Sequence, residues 1–172
     1  MRLLSTAVSV LAIGLLVSSA ARADRHQCQA VVKESIVTMY SFTGCKSPVG
    51  ICTTGTVGPG PLEGTSQFTA LRMHQHGSEI LYSGELTITT TSGDQIILRD
   101  AGVLNAMTGA FFEVEHVVSG TGTYEGARGV LTSQGFATGT GFGGTRTGRI
   151  CTSDKARSRV ASNFDDEGDD EE

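Results

Sequence analysis

The chain has little of what helical or nucleic-acid-binding proteins require. Tryptophan is absent, there are only 3 prolines, and aromatic residues make up 6% of the 172 positions. No segment repeats apolar residues with the 3.6-residue period of an amphipathic helix. The 13 basic residues are outnumbered by 18 acidic ones and form no basic patch, which excludes the electrostatic footprint of a nucleic-acid-binding protein.

Several catalytic motifs are also missing. There is no G-x-S-x-G sequence of the kind that presents the nucleophile of an α/β-hydrolase. The glycine-rich segment does not open a helix, so phosphate loops and dinucleotide-binding loops are excluded as well. No cofactor is therefore predicted.

The N-terminus resembles an export signal. Arg2 precedes an apolar stretch, Leu3 to Val17, and Ala21-Arg22-Ala23 forms a small-x-small cleavage site. A membrane anchor is the alternative, but the apolar stretch is shorter than the roughly 20 residues that cross a bilayer. We predict a signal peptide over residues 1–23, a secreted or periplasmic protein, and no stable membrane anchor.

The remaining chain has the length of one domain. We predict that it covers residues 24–160 and that residues 161–172 form a disordered tail, because every residue from Asp165 to Glu172 except Gly168 is acidic. Loose calcium binding is the alternative for this tail, but the ordered ligand spacing of an EF-hand loop is missing.

The four cysteines, Cys28, Cys45, Cys52 and Cys151, all follow the predicted cleavage site. An even number of cysteines in an exported chain predicts disulfides, and four cysteines allow three connectivities, among which spacing alone does not choose. Zinc is the competing interpretation, which the absence of a C-x-x-C pair and the oxidising compartment disfavour.

Alternation of apolar and polar residues predicts about eight short strands separated by turn signals, as in an antiparallel sandwich or barrel. Tyr82 shares a strand face with Ile80, Leu86 and Ile88. A later strand offers two faces. One carries Phe112, Val114, His116 and Val118, and the opposite one carries Glu113 and Glu115, which we expect to be exposed charge rather than an acid/base pair.

Residues 119–129 form the most distinctive segment, with Gly120, Gly122, Gly126 and Gly129 around Tyr124 and Arg128. Its position between two strand-like runs predicts a sharp corner. The segment resembles the G-x-G-x-[FY]-x-G-A-x-G signature of the allene oxide cyclase and dirigent-protein barrel superfamily. The similarity extends loosely from Leu62 to Phe136 and is nearest to a bacterial barrel family of unknown function.

This resemblance implies an all-β fold, a single antiparallel eight-stranded barrel. A barrel brings its first and last strands together, which favours the disulfides Cys28–Cys151 and Cys45–Cys52. In the glycine corner, Tyr124 is expected to plug one end of the barrel, and Arg128 to pair with a carbonyl or carboxylate that fixes the turn. Both residues are therefore interpreted as structural.

Three polar residues on otherwise apolar faces are candidates for ligand binding: Tyr82, His116 and Arg72. Each has an alternative as a hydrogen-bonded core residue or, for Arg72, as a surface cation. His74, His76 and Glu79 partly resemble the H-x-H…E metal motif of cupins. The glutamate spacing is wrong and the second cupin motif is missing, so we predict no metal there.

The barrel interior of the resembled superfamily confines a reactive apolar molecule. The leading hypothesis is accordingly a module that binds a small, largely apolar molecule. A cofactor-independent cyclase or isomerase is the first alternative, and a structural or interaction protein with a filled barrel is the second. Assembly into a homo-oligomer is left open.

Overall fold

A computed structural model describes residues 26–153, which form one closed β-barrel. The predicted signal peptide and acidic tail lie outside these residues. The strands are β1 (His26–Tyr40), β2 (Cys52–Val57), β3 (Gly64–His76), β4 (Glu79–Thr90), β5 (Gln95–Asn105), β6 (Ala110–Gly120), β7 (Arg128–Ala137) and β8 (Gly141–Ser153). Between β6 and β7 lies one turn of 3-10 helix, Gly122–Tyr124. Within 26–153 there is no helix with the length and apolar character to cross a bilayer.

Each strand pairs antiparallel with the next one along the chain, and β1 pairs with β8 to close the barrel. The predicted all-β, eight-stranded antiparallel barrel is therefore confirmed. Closure pairs every strand on both sides and removes the exposed sheet edges at which other chains could add.

Both expected disulfides are present. Cys28 and Cys151 are directly opposite on β1 and β8, so their bond crosses the seam at which the barrel closes. Cys45 and Cys52 join the loop after β1 to the first residue of β2. No cysteine is free, and this full pairing is consistent with an oxidising compartment.

One end of the barrel is filled with apolar side chains. Ile88, Ile96, Leu98 and Leu131 are completely buried there. Leu62, from the β2–β3 loop, is also completely buried, and the Tyr124 hydroxyl donates a hydrogen bond of 2.7 Å to the carbonyl oxygen of Pro61 in the same loop. Tyr124 and the β2–β3 loop thus close this end, which we call the closed end.

The glycine corner holds Tyr124 in this position. Gly122 has φ of +53°, and a Cβ at that residue would collide with the Asp94 carboxylate. That carboxylate accepts a hydrogen bond of 3.1 Å from the Thr123 N–H, so glycine allows the turn to approach its acceptor closely.

The Arg128 side chain is exposed, and it makes no hydrogen bond or ion pair within residues 26–153, which contradicts the expected pairing.

The two disulfides should contribute unequally to stability. They span sequence separations of 123 and 7 residues. Because a longer loop removes more entropy from the unfolded chain, replacing Cys28 and Cys151 by serine should cost about 5 kcal/mol, against about 2 kcal/mol for Cys45 and Cys52. Urea unfolding of the two double variants measures the difference. An equal or larger loss for the Cys45–Cys52 variant would contradict this ordering.

Candidate functional site

The other half of the barrel encloses a cavity of about 270 Å³. It lies towards the end that carries the β3–β4 and β5–β6 hairpins, which we call the open end. Most of its wall is apolar, and three rings, Tyr40, Phe111 and Phe142, pack edge to face with centroid distances of 5.6 Å. The ionisable groups in the wall are Asp100, Glu113, Arg146 and the phenols of Tyr40 and Tyr82.

The inward face of β6 differs from the predicted one. From the open end to the closed end it carries Phe111, Glu113, Glu115 and Val117, and Glu115 is completely buried. His116 lies on the outer face and is exposed, so the expectation that it faces the interior is wrong. Both faces of this strand contain apolar residues, and alternation alone could not choose between them.

Tyr82 lines the cavity, as the ligand-binding hypothesis requires, and its phenol donates a hydrogen bond of 2.6 Å to Oε1 of Glu113. The two residues lie on β4 and β6, on either side of Gly102 in β5. A Cβ at Gly102 would come within 2.7 Å of the Tyr82 hydroxyl and 2.8 Å of Glu113 Cγ. The missing side chain therefore gives the two groups room to meet. Burial and the neighbouring Glu113 raise the pKa of the Tyr82 phenol, which keeps it a donor.

Glu115 forms a buried ion pair with Arg146 of β8. Nε of Arg146 lies 2.7 Å from Oε2 of Glu115, and Nη2 donates to Oε1 at 3.0 Å. The Ser133 hydroxyl of β7, which lies between these strands, donates to the same Oε1 at 2.6 Å. Within residues 26–153, Arg146 is the only buried basic residue, so the charge of Glu115 is balanced by this one partner.

Asp100 lies beside this pair without a comparable partner. It is 5% exposed, and its Oδ1 atom makes no hydrogen bond. Asp100 is directly opposite Glu115, and oxygen atoms of Asp100, Glu113 and Glu115 lie within 4.8 Å of one another. We call these three residues the carboxyl trio.

Burial, followed by the negative charge of Glu113, raises the pKa of Asp100 to about 9. Burial and Glu115 raise the pKa of Glu113 to about 7.

A fourth buried carboxyl, Glu34, lies on β1, directly across from Arg146 of β8. It is 1% exposed and accepts a hydrogen bond of 2.8 Å from the Leu62 N–H, while its Oε2 has no partner. Burial raises the pKa of Glu34 above the usual range, against the lowering effects of the Leu62 N–H and Arg146. A layer of buried polar side chains thus separates the cavity from the closed end. This polar belt consists of Glu34, Asp100, Glu115, Ser133 and Arg146.

Arg72 does not line the cavity. Its side chain is exposed, whereas Ala70 and Met73 are both in the cavity wall. The pairing of β3 with β4 shifts register between Ala70 and Arg72, and such a bulge breaks the strict alternation of faces. The expectation that Arg72 lies on an otherwise apolar face and binds the ligand is therefore wrong.

The weak metal candidates lie at the tip of the β3–β4 hairpin. His74, His76 and Glu79 are all exposed, and His76 pairs with Glu79 next to the turn. Over residues 26–153, the only three potential metal ligands whose ligand atoms gather within 4.8 Å are those of the carboxyl trio. The hairpin residues do not form such a group.

Asp100, Arg146 and the inward position of Glu113 and Glu115 were not predicted from the sequence. One signal was available for Asp100, because it continues the alternating apolar face of Ile96 and Leu98. A carboxyl in phase with buried residues is costly unless it is partnered or protonated. The sequence indicated the buried position of Arg146 less clearly, because the β8 residues around it are mainly glycine and threonine and show no alternation of apolar and polar residues.

No protein-family model, no curated protein and no solved structure matches this chain.

Replacing Arg146 by methionine should destabilise the barrel by about 3 to 5 kcal/mol, because it leaves Glu115 buried without its counter-charge. Arg149 of the same strand is exposed, and Arg149→Ala should change the free energy of unfolding by only about 0.5 kcal/mol. Urea unfolding at neutral pH compares the two variants. The ion pair would not have the assigned role if Arg146→Met lost no more stability than Arg149→Ala.

Proposed function

We propose that this protein is a secreted or periplasmic barrel that binds a small, largely apolar molecule in its cavity. The observation that carries the proposal is the cavity itself, a largely apolar space enclosed by the barrel with a few ionisable groups in its wall. Binding sites for small molecules commonly combine apolar walls with a few placed polar groups. The resemblance to the allene oxide cyclase and dirigent superfamily points in the same direction.

The size of the cavity limits the ligand. Its volume of about 270 Å³ corresponds to about nine water molecules at liquid density, and lies just below the roughly 300 Å³ at which drug-sized pockets begin. A ligand with one ring or a short chain therefore suits this space. The three rings of Tyr40, Phe111 and Phe142 in the wall favour a flat aromatic body, because aromatic groups pack favourably on one another in edge-to-face or offset arrangements.

A cofactor-independent isomerase or cyclase is the second candidate function. The observation that favours it is the pairing of two carboxyls with raised pKa values, Asp100 and Glu113, with the Tyr82 phenol in one wall. A protonated carboxyl beside one that titrates near neutrality can donate and accept protons at physiological pH. Loss of turnover without loss of ligand binding in Tyr82→Phe would favour this candidate over simple binding.

A cavity-filling variant tests the binding proposal. Ala70 is 2% exposed and lies in the cavity wall, so Ala70→Phe should occupy the space and weaken binding of 2-phenylethanol, a neutral aromatic probe, by at least about tenfold. Isothermal titration calorimetry of the exported protein measures the affinity. Native mass spectrometry of the same preparation should show an adduct that is lost on denaturation.

Ala101→Phe is the matched control, because Ala101 is exposed on the outside of β5. Circular dichroism establishes that both variants are folded, and Leu86→Phe, at another buried position in the wall, replaces Ala70→Phe if the latter does not fold. Unchanged affinity in a folded cavity-filling variant, or no binding by the unaltered protein, would contradict the proposal and favour a filled structural barrel.

A further inference from the structure

We infer that the cavity takes a ligand whose apolar body carries a protonated amine, with the ammonium group hydrogen-bonded to Asp100 and Glu113. This inference rests on the proposed binding function and adds the chemistry of the ligand's polar group. The cavity wall contains two carboxyls, Asp100 and Glu113, and one basic side chain, Arg146.

Arg146 does not neutralise these two carboxyls, because it is already paired. Two of its nitrogens contact Glu115, at 2.7 Å and 3.0 Å. Glu34 lies on its other side as a cross-strand neighbour. Two Arg146 nitrogens, Nε and Nη1, make no hydrogen bond, and of these Nε is held by its ionic contact with Oε2 of Glu115. An anionic ligand that used Nη1 would also lie beside the carboxyl trio. The charge of the site therefore disfavours a carboxylate ligand.

When Asp100 is ionised, it has an acceptor atom without a partner, and this atom points to a donor on the ligand. Asp100 is 95% buried, lines the cavity and has no hydrogen bond to its Oδ1. A buried carboxyl oxygen without a donor costs free energy that a bound N–H group would recover. Glu113 is half-buried in the same wall and uses Oε1 for Tyr82, which leaves Oε2 as a second acceptor. A primary ammonium, with three N–H donors, can use both carboxyls.

A divalent cation fits the same groups less well. Both oxygens of Glu115 are engaged, Oε1 by Ser133 and Arg146 and Oε2 by Arg146. Two carboxyls then remain, whereas calcium takes 6 to 8 oxygen ligands. The guanidinium next to them further disfavours a metal ion, and the apolar wall has room for the body of an organic amine.

A matched series of ligands tests the inference with the exported protein at pH 7.5. The probes are 2-phenylethylamine, 2-phenylethanol and phenylacetate, which share a phenyl ring and differ mainly in the polar group. We expect calorimetry to give at least about a tenfold higher affinity for the amine than for the alcohol, since charge-assisted hydrogen bonds exceed neutral ones by this order. Phenylacetate should bind more weakly than both.

Variants of Asp100 and Glu113 test whether these two carboxyls cause the preference for the amine over the alcohol. Asp100→Asn and Glu113→Gln should each reduce the affinity for the amine more than the affinity for the alcohol, so that the tenfold preference for the amine falls towards onefold. Glu79→Gln, which removes an exposed carboxyl at the hairpin tip, is the matched control and should change neither. Two independent carboxyl variants keep the test valid if one of them does not fold.

The outcomes separate the inference from the proposed function. If the alcohol or phenylacetate binds as tightly as the amine, or if Asp100→Asn and Glu113→Gln keep the preference, the ammonium inference is wrong while the cavity remains a binding site. Displacement of the amine by millimolar calcium chloride would overturn it in favour of a metal site. If no probe binds, both the inference and the proposed function fail.

Discussion

The ion pair between Glu115 and Arg146 organises the interior of this barrel. It connects β6 to β8 and, through the Ser133 hydroxyl, includes β7 between them. All three side chains are at most 3% exposed. A buried pair of this kind contributes little net stability compared with apolar residues of the same volume, but loss of one partner is costly. The strands on this side of the barrel are therefore constrained to keep their register around one guanidinium.

The same pair sets the electrostatic state of the cavity. One guanidinium is surrounded by Glu115, Asp100, Glu113 and Glu34, so the polar belt and the carboxyl trio cannot all be neutralised internally. Without a ligand, the uncompensated carboxyls are neutralised by binding protons. The pKa values of Asp100 and Glu113 are raised because both carboxyls are buried next to other carboxyls. A cationic ligand would replace those protons. In the proposed binding function, the apolar wall and the excess of carboxyls would act together on the same ligand.

The fold could be predicted from the sequence because its signals are local. Strand alternation and the turn residues predicted an antiparallel sandwich or barrel, and only the resemblance carried by the glycine corner favoured closure. A closed barrel in turn favoured the Cys28–Cys151 pairing, which the structure confirms. Tyr82 was assigned to the inward face because most apolar residues of its strand, Ile80, Leu86 and Ile88, share that face, and only Leu81 lies on the other. The positions of His116 and Arg72 were predicted wrongly, for different reasons: β6 is apolar on both faces, and a bulge in β3 reverses the alternation after Ala70. The belt depends on pairing across five strands, a relation that no single segment contains.

The protonation state of Asp100 shows whether the cavity contains buried carboxyls that no internal cation neutralises. Carbon-13 NMR of the aspartate and glutamate carboxyl carbons follows each group through a pH titration, with Asp100→Asn and Glu113→Gln providing the assignments. We expect the Asp100 carboxyl to titrate near pH 9 in the ligand-free protein, far above its ordinary value of 3.8. When 2-phenylethylamine is added, the same carboxyl should ionise at neutral pH. An Asp100 carboxyl that titrates in the ordinary range of an exposed aspartate would contradict a cavity with uncompensated buried carboxyls.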